Sequence, residues 1–340
     1  MVKNDTTYRN YVPDIPYHLV WIATNACNAR CIHCSTEATK RLPGELSTNE
    51  VKKMFWELRN AGVFDIAISG GEPFVRKDMM EIIEYMASIG LKVGIGSNGS
   101  TVTKKITDKL KLFNVSRLQI SIDGTEEIHD LSRRWNGLFK KSKQAILYGI
   151  ESGLNVHVCM TLHKINYSVM EDVISMCADW GVKRFNLSRF IPTGRGDLAL
   201  DLDKELWHDL MLKYENIKTE YFGRMEMTTH LSQSILLNSE LNCCDGFIGC
   251  QAGIGQGCIG PTGDVSPCVM LPVKVGNIRD HSFEDIWRDS TLINNLKSRN
   301  LLKGKCGVCS YKEKCGGCRA VAYSYTGDVF ETDSRCWLTN

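Results

Sequence analysis

The chain has 340 residues, 43% hydrophobic and 24% charged, which excludes intrinsic disorder and leaves ample apolar material for one large domain or two moderate ones. Its 41 basic and 39 acidic residues give a formal net charge of +2, so no global field points to nucleic acid. No apolar run approaches the ~18–20 residues that span a bilayer, and the polar start Met1-Val2-Lys3-Asn4-Asp5 has no signal-peptide core. A cytoplasmic protein with no membrane partner is expected.

Fifteen cysteines are unusual. An odd count without a signal peptide argues against a secreted disulfide framework, and clustered cysteines in a reducing compartment bind metal or do chemistry. Three lie at 27–34 and eight between 250 and 336. Cys159, Cys177, Cys243 and Cys244 follow no ligand spacing.

The first half repeats one pattern. A strand is predicted over 18–23. Ser47 and Glu50 then form a capping box ahead of Val51, Met54, Phe55 and Leu58, which share one helical face. Gly62 ends that helix, and a strand follows over 64–68. A helix over 78–89 ends at Gly90 before a strand over 91–95. A helix over 103–112 leads to a strand over 118–122. A helix over 137–152 ends at Gly153 before a strand over 156–160. A fifth helix starts at Ser168, with Glu171 completing a second capping box, and ends at Gly181 before a strand over 184–188.

Six strands alternating with five helices imply parallel strands joined by right-handed crossovers. The number of units fits a partial (β/α)6 barrel better than an open two-sided sheet. In barrels the chemistry sits at the C-terminal ends of the strands. The predicted organisation is an N-terminal arm (1–17), the barrel (18–200), a bridging helix and connector (201–244) and a Cys-rich domain (245–340). That last segment is rich in Gly and has one predicted helix near 283–297. With so little regular structure it needs bound metal for stability.

Cys27-Asn28-Ala29-Arg30-Cys31-Ile32-His33-Cys34 reads C-x3-C-x2-C and falls in the loop after the first strand. Three thiolates can hold three irons of a [4Fe–4S] cube and leave the fourth iron open. The alternative is a zinc site with His33 as fourth ligand. Together with Gly70-Gly71-Glu72-Pro73 after the second strand, the motif resembles the radical S-adenosylmethionine (SAM) enzymes over nearly the whole chain. The resemblance implies that the amino and carboxylate groups of SAM chelate the open iron. An electron from the cube then splits the sulfonium to a 5′-deoxyadenosyl radical, which abstracts a substrate hydrogen. It also implies site roles. Gly70 and Gly71 admit the methionine moiety, and Glu72 accepts from its ammonium. Ser97 and Asn98 hold SAM after the third strand. Ser121 and Asp123 partner the ribose or the SAM carboxylate, and Arg133 pairs with that carboxylate. Turn and cap roles explain Ser97, Asn98, Asp123 and Arg133 equally well.

Cys250, Cys258, Cys268, Cys306, Cys309, Cys315, Cys318 and Cys336 resemble the SPASM extension of these enzymes, which binds two auxiliary [4Fe–4S] clusters. By resemblance, one uses Cys250, Cys258, Cys268 and Cys318, and the other Cys306, Cys309, Cys315 and Cys336. The cofactors implied are thus SAM and three [4Fe–4S] clusters. Gly316-Gly317 leaves two residues before Cys318 where many members have three, which questions the pairing. A pair of zinc sites is the alternative. Cys243 and Cys244 read best as buried inert thiols, against a spare ligand or a hydrogen-atom donor.

The stretches around 249–258, 271–278, 302–320 and Ile191-Pro192-Thr193-Gly194-Arg195-Gly196 resemble the alternative haem pathway enzymes and their relatives in nitrite-reductase haem biosynthesis. The resemblance implies decarboxylation of an iron-tetrapyrrole side chain. Arg189 and Arg195 can pair with its propionates, or form surface or interdomain ion pairs. A maturase of a ribosomally made peptide or protein side chain is the second reading. A non-catalytic iron–sulfur electron-transfer protein is the third. The expected partners are a tetrapyrrole or precursor peptide and an electron donor such as flavodoxin or ferredoxin.

Overall fold

The computed structural model describes residues 13–230, 232–237 and 249–338. Short runs between the helices build seven parallel strands: His18–Ile22 (β1), Asp65–Ser69 (β2), Lys92–Ser97 (β3), Arg117–Ser121 (β4), Val156–Leu162 (β5), Arg184–Arg189 (β6) and Glu226–Thr229 (β7). The crossover helices are Thr48–Asn60 (α1), Met79–Ser88 (α2), Lys104–Leu112 (α3), Glu126–Arg133 (α4), Leu138–Glu151 (α5), Met170–Asp179 (α6) and Lys204–Glu220 (α7). The Ser47–Glu50 capping box opens α1, and Val51, Met54, Phe55 and Leu58 are all buried. Phe55 meets Trp21 of β1 edge to face, with ring centroids 5.2 Å apart. On β5, Val156, Val158, Met160 and Leu162 enter this core. Cys159 points the other way and meets Ser188 Oγ of β6 at 3.3 Å. One sheet face is thus packed by helices and the other lines a polar interior.

Four features differ from the sequence reading. No capping box forms at Ser168. The Asn166 side chain instead bonds His163 N, Asp123 O and Thr161 O, turning the chain so that 167–169 is a 3-10 turn and α6 starts at Met170. α4 was not predicted, because its buried residues are the polar His129, Ser132 and Arg133 and no apolar stripe marks it. The helix near 283–297 is two helices, Phe283–Asp289 and Thr291–Lys297, each with a serine N-cap (Ser282 and Ser290). Finally, α7 and β7 carry the parallel pattern one unit past residue 200, with β7 pairing β6.

The Cys-rich segment is joined to the same sheet. Gln256–Ile259 (β8) pairs in parallel with the free edge of β1, placing Cys258 opposite Val20. Asp264–Ser266 (β9) and Gly276–Asn277 (β10) continue it antiparallel. The ten-stranded order is β10-β9-β8-β1-β2-β3-β4-β5-β6-β7, an open, partial barrel whose β1 edge is covered. Among the described residues no helix is long and apolar enough to cross a membrane.

Candidate active site

Cys27, Cys31 and Cys34 lie in the loop after β1, at the C-terminal end of the strands. Several elements hold that loop. Cys27 N donates to Thr39 O (3.1 Å). Arg30 N and Ile32 N donate to the last carbonyls of α4, Arg133 O and Ser132 O. The buried Glu45 carboxylate accepts from Thr24 Oγ1, Asn25 N and Leu42 N. Arg195, beyond β6, donates from its backbone to Cys34 O and from its guanidinium to Cys31 O (2.9 Å) and Ala38 O (3.0 Å).

The thiols pack together with Ala29, Leu138 and Trp135. Ala29 N donates to Cys27 Sγ and Ala38 N to Cys34 Sγ, both at 3.4 Å. Burial pushes the Cys27 thiol up to about 11, with Cys31, Glu72 and Cys34 adding to the rise and the Ala29 amide opposing it. Burial raises Cys31 too, against the pull of Arg133. Three mutually repelling thiols with amide donors aimed at sulfur suit a bound cation that replaces their protons. His33 turns Nε2 to Asp123 Oδ2 at 3.3 Å. The donor set therefore fits a three-thiolate cube.

The glycines after β2 explain how strand and loop meet. A Cβ at Gly71 would lie 2.1 Å from Ala26 O and 2.6 Å from Ala26 C. Gly71 N donates to Thr24 O and Glu72 N to Ala26 O. What position 71 admits is the backbone of the cysteine loop itself.

Glu72 is fully buried. Its carboxylate accepts from Ser97 Oγ (2.8 Å), Asn98 N (2.8 Å) and Phe74 N (3.3 Å). Burial raises its pKa, while the Asn98 and Ser97 donors oppose the rise. Asn98 Nδ2 also donates to Asn28 Oδ1 in the cysteine loop (2.9 Å). Glu72, Ser97 and Asn98 are thus brought together beside Cys27. Two carboxylate oxygens offer about four acceptor positions, so one remains for a cationic ligand.

The structure brings Asp123 and Arg133 together. They pair with each other: Arg133 Nε and Nη2 reach Asp123 Oδ2 at 2.7 and 2.6 Å, with both groups buried. Thr161 N donates to Asp123 Oδ1 (2.9 Å). Burial alone would raise this carboxyl, but Arg133 and then His33 hold it well below the usual carboxylate range. Ser121, half-buried at the end of β4, is not among the groups bonded to the Asp123 carboxylate among the described residues. Sequence reasoning missed His129, His163 and Asn166. His129 Nδ1 accepts from Asp123 N, and the His163 ring sits 5.3 Å from that of His33. Their only sequence signal is a polar residue soon after a strand end.

The eight later cysteines fall into two electrostatic groups. Burial raises the thiols of Cys258, Cys268, Cys315, Cys318 and Cys336. Cys268 feels Cys250 and Cys258, and Cys318 feels Cys250. Cys315 feels Cys336 and Cys306, while Cys336 feels Cys306 and Cys309. Cys306, Cys309 and Cys336 line a pocket of about 220 Å³. The Gly316-Gly317 turn has positive φ at both residues (68° and 58°), and a Cβ at Gly317 would lie 3.0 Å from Cys306 Sγ. The short C-x2-C spacing is a turn tight enough to seat its two cysteines in different groups. Cys243 and Cys244 lie outside the described residues. Of the two readings for Arg189 and Arg195, the structure shows the protein contacts: Arg189 pairs with Asp333 of the Cys-rich segment, and Arg195 braces the first cysteine loop.

Comparison with known proteins agrees with this geometry. The radical SAM superfamily profile matches residues 21–177, and that of the SPASM iron–sulfur cluster-binding domain matches 250–319. The AdoMet-dependent heme synthase of Methanosarcina barkeri is 32% identical over 335 residues, covering 94% of this chain and 96% of that protein. The chain belongs to the radical SAM enzymes. Mycofactocin maturase MftC of Mycobacterium tuberculosis is 31% identical, covering 92% of this chain and 81% of its own. Among solved structures, Streptococcus suis SuiB bound to S-adenosylmethionine superposes with a TM-score of 0.82 at 18% identity, over 96% of this radical SAM chain and 78% of that one. Native anSMEcpe with bound AdoMet gives 0.74 at 17% identity, over 94% of both chains. These two likenesses establish the shared fold. This radical SAM/SPASM enzyme thus has SAM and iron–sulfur clusters as its cofactors.

Proposed function

We propose that this enzyme oxidatively decarboxylates a carboxylate side chain of an iron tetrapyrrole. The observation that carries the reading is full-length similarity to heme synthases: 32% identity to the Methanosarcina barkeri protein, and 30% to that of Nitratidesulfovibrio vulgaris. The Fe-coproporphyrin III synthase of Methanosarcina barkeri, at 27%, adds a second relative named for tetrapyrrole chemistry. The MftC similarity favours peptide maturation as the second reading.

Cys27, Cys31 and Cys34 would hold the catalytic cube. Cys250, Cys258, Cys268 and Cys318 would hold one auxiliary cube, and Cys306, Cys309, Cys315 and Cys336 the other. The two electrostatic groupings support this pairing. When bound, SAM and the cubes supply a hydrogen-abstracting radical and an acceptor for the one electron left when a propionate loses a hydrogen atom and CO2 to become a vinyl group.

The chain's own residues do the positioning. Glu72, set by Ser97 and Asn98, receives the SAM ammonium. Gly70 and Gly71 seat the β2 end against the cysteine loop. Arg133 keeps Asp123 ionised beneath that loop, with Ser121 at the same strand end facing the ribose. A flavodoxin or ferredoxin in a reducing cytoplasm would deliver the electron.

The test is 5′-deoxyadenosine formation by the anaerobic, reduced enzyme, with and without iron-coproporphyrin III. Strong stimulation with loss of carboxylate mass is expected. Background cleavage that the tetrapyrrole does not raise would overturn this reading and leave peptide maturation.

A further inference from the structure

Asp333 belongs to no predicted motif, yet it is the most connected carboxylate of the Cys-rich segment among the described residues. Its side chain is fully buried. Oδ2 accepts from Cys318 N (2.9 Å) and Gln233 Nε2 (2.8 Å), and Oδ1 from Arg335 N (3.0 Å). Its carbonyl accepts from Cys336 N (3.1 Å). One residue therefore bonds the amides of two cysteines from different quartets. The Arg189 guanidinium approaches it from the end of β6, with Nη1 3.4 and 3.5 Å from the two oxygens. The same guanidinium lies 5.7 Å from the ring centroid of Trp207 on α7.

We propose that the Asp333–Arg189 pair is a tuning device that sets the reduction potentials of the two auxiliary clusters from the end of a barrel strand. The proposal rests on the reading that the eight later cysteines hold two cubes.

The physical argument is one of sign. Reducing a cube adds negative charge. A buried anion beside it opposes reduction and a buried cation favours it, and the low dielectric of the interior enlarges both effects. Asp333 lies against both quartets, its carboxylate holding Cys318 N and its carbonyl Cys336 N. Arg189 reaches the carboxylate, the end that holds Cys318 N. Asp333 therefore lowers both potentials, and Arg189 offsets this chiefly at the Cys318 cluster.

The experiment is an EPR-monitored redox titration of anaerobically reconstituted holoenzyme, comparing wild type with D333N and R189Q. Signals that do not change on adding SAM are the auxiliary ones. D333N keeps the side chain's shape and should shift both auxiliary potentials upward. R189Q should shift the potential of one cluster downward and leave the other nearer its original value. R189K should restore most of that loss. A merely structural role predicts shifts of one sign in both variants, and that result overturns the proposal. If D333N does not retain iron, the downward shift in R189Q and its rescue in R189K decide alone. Wild-type protein holding about four irons overturns the two-cube reading and this inference with it. About twelve irons with unmoved potentials overturns the inference alone.

Discussion

Arg133→Met tests whether the Asp123–Arg133 pair is what keeps the base of the cysteine loop in order. The substitution removes a guanidinium that makes two bonds to one carboxylate oxygen at 2.7 and 2.6 Å. Asp123 is then left buried, with Thr161 N and His33 for company. Breaking a buried ion pair from one side costs about 3–5 kcal/mol. A chain of 340 residues has an unfolding entropy of about 0.7 kcal/mol per kelvin, so as one cooperative unit R133M should melt about 4–7 °C lower. The double variant R133M/D123N removes the stranded charge while its amide oxygen still accepts from Thr161 N. It should recover more than half of the loss.

The pH dependence has a definite sign. In the wild type the folded Asp123 carboxyl lies well below its usual value, so its stabilisation is present above about pH 4 and is lost as pH falls through the depressed value. In R133M burial is no longer opposed by the arginine and the carboxyl is raised. The penalty is then full at pH 8 and shrinks as pH falls toward the raised value. The assay is anaerobic thermal unfolding, followed by cluster absorbance and circular dichroism at pH 8 and pH 6. An R133M protein melting within about 1 °C of wild type, or a double variant no better than the single one, refutes the reasoning.

Replacing Cys27, Cys31 and Cys34 together by alanine should abolish reductive SAM cleavage; cleavage above background would refute their assignment. Glu72→Gln removes the charge that would face an ammonium and keeps one amide oxygen, which can accept from Ser97 Oγ or from Asn98 N but not from both, since these donate to different carboxylate oxygens. SAM affinity should fall about 10- to 100-fold, the worth of one charge-assisted hydrogen bond, and equilibrium dialysis against reconstituted protein measures it. Unchanged affinity would remove Glu72 from the SAM site. Gly71→Ala drives a methyl group to 2.1 Å from a backbone oxygen of the cysteine loop, so that loop must move. Iron retention at the three-thiol site should drop while the later cysteines keep theirs, and an iron count equal to wild type would contradict the packing argument.

Cysteine spacing and capping signals made most of the fold legible. Ser47 with Glu50 and the stripe Val51, Met54, Phe55 and Leu58 specify α1 because local hydrogen bonds and one buried face agree. The C-x3-C-x2-C run marks its site because thiolates are rarely clustered for any other reason. What stayed hidden was set by tertiary pairing. α4 buries His129, Ser132 and Arg133, so its inward face looks like a surface until Asp123 is known to lie opposite. Ser168 carries the signature of a cap but falls inside a 3-10 turn set by Asn166, whose amide is claimed by two carbonyls, and α6 starts two residues later. The pairing of β8 with β1 joins segments more than two hundred residues apart, and nothing local in Gln256–Ile259 announces it.

Arg133, Arg189 and Arg195 each hold an acceptor beside a cysteine-bearing segment. Arg133 lies against Asp123 and its charge is felt at Cys31. Arg189 reaches Asp333, whose oxygen holds Cys318 N. Arg195 ties Cys31 O to Ala38 O across the segment that carries Cys34. Each thus braces a stretch of chain bearing grouped cysteines and brings a cation to it. Thiolate-held cubes gain negative charge on reduction, and cations held rigidly nearby in a poorly polarisable interior make that gain less costly without reorganisation. A guanidinium suits the role better than an ammonium, because its flat fork can hold two carbonyls or one carboxylate while keeping its charge. Position along a barrel strand therefore predicts which end an arginine serves, whereas its partner depends on which acceptors the fold has left unpaired there.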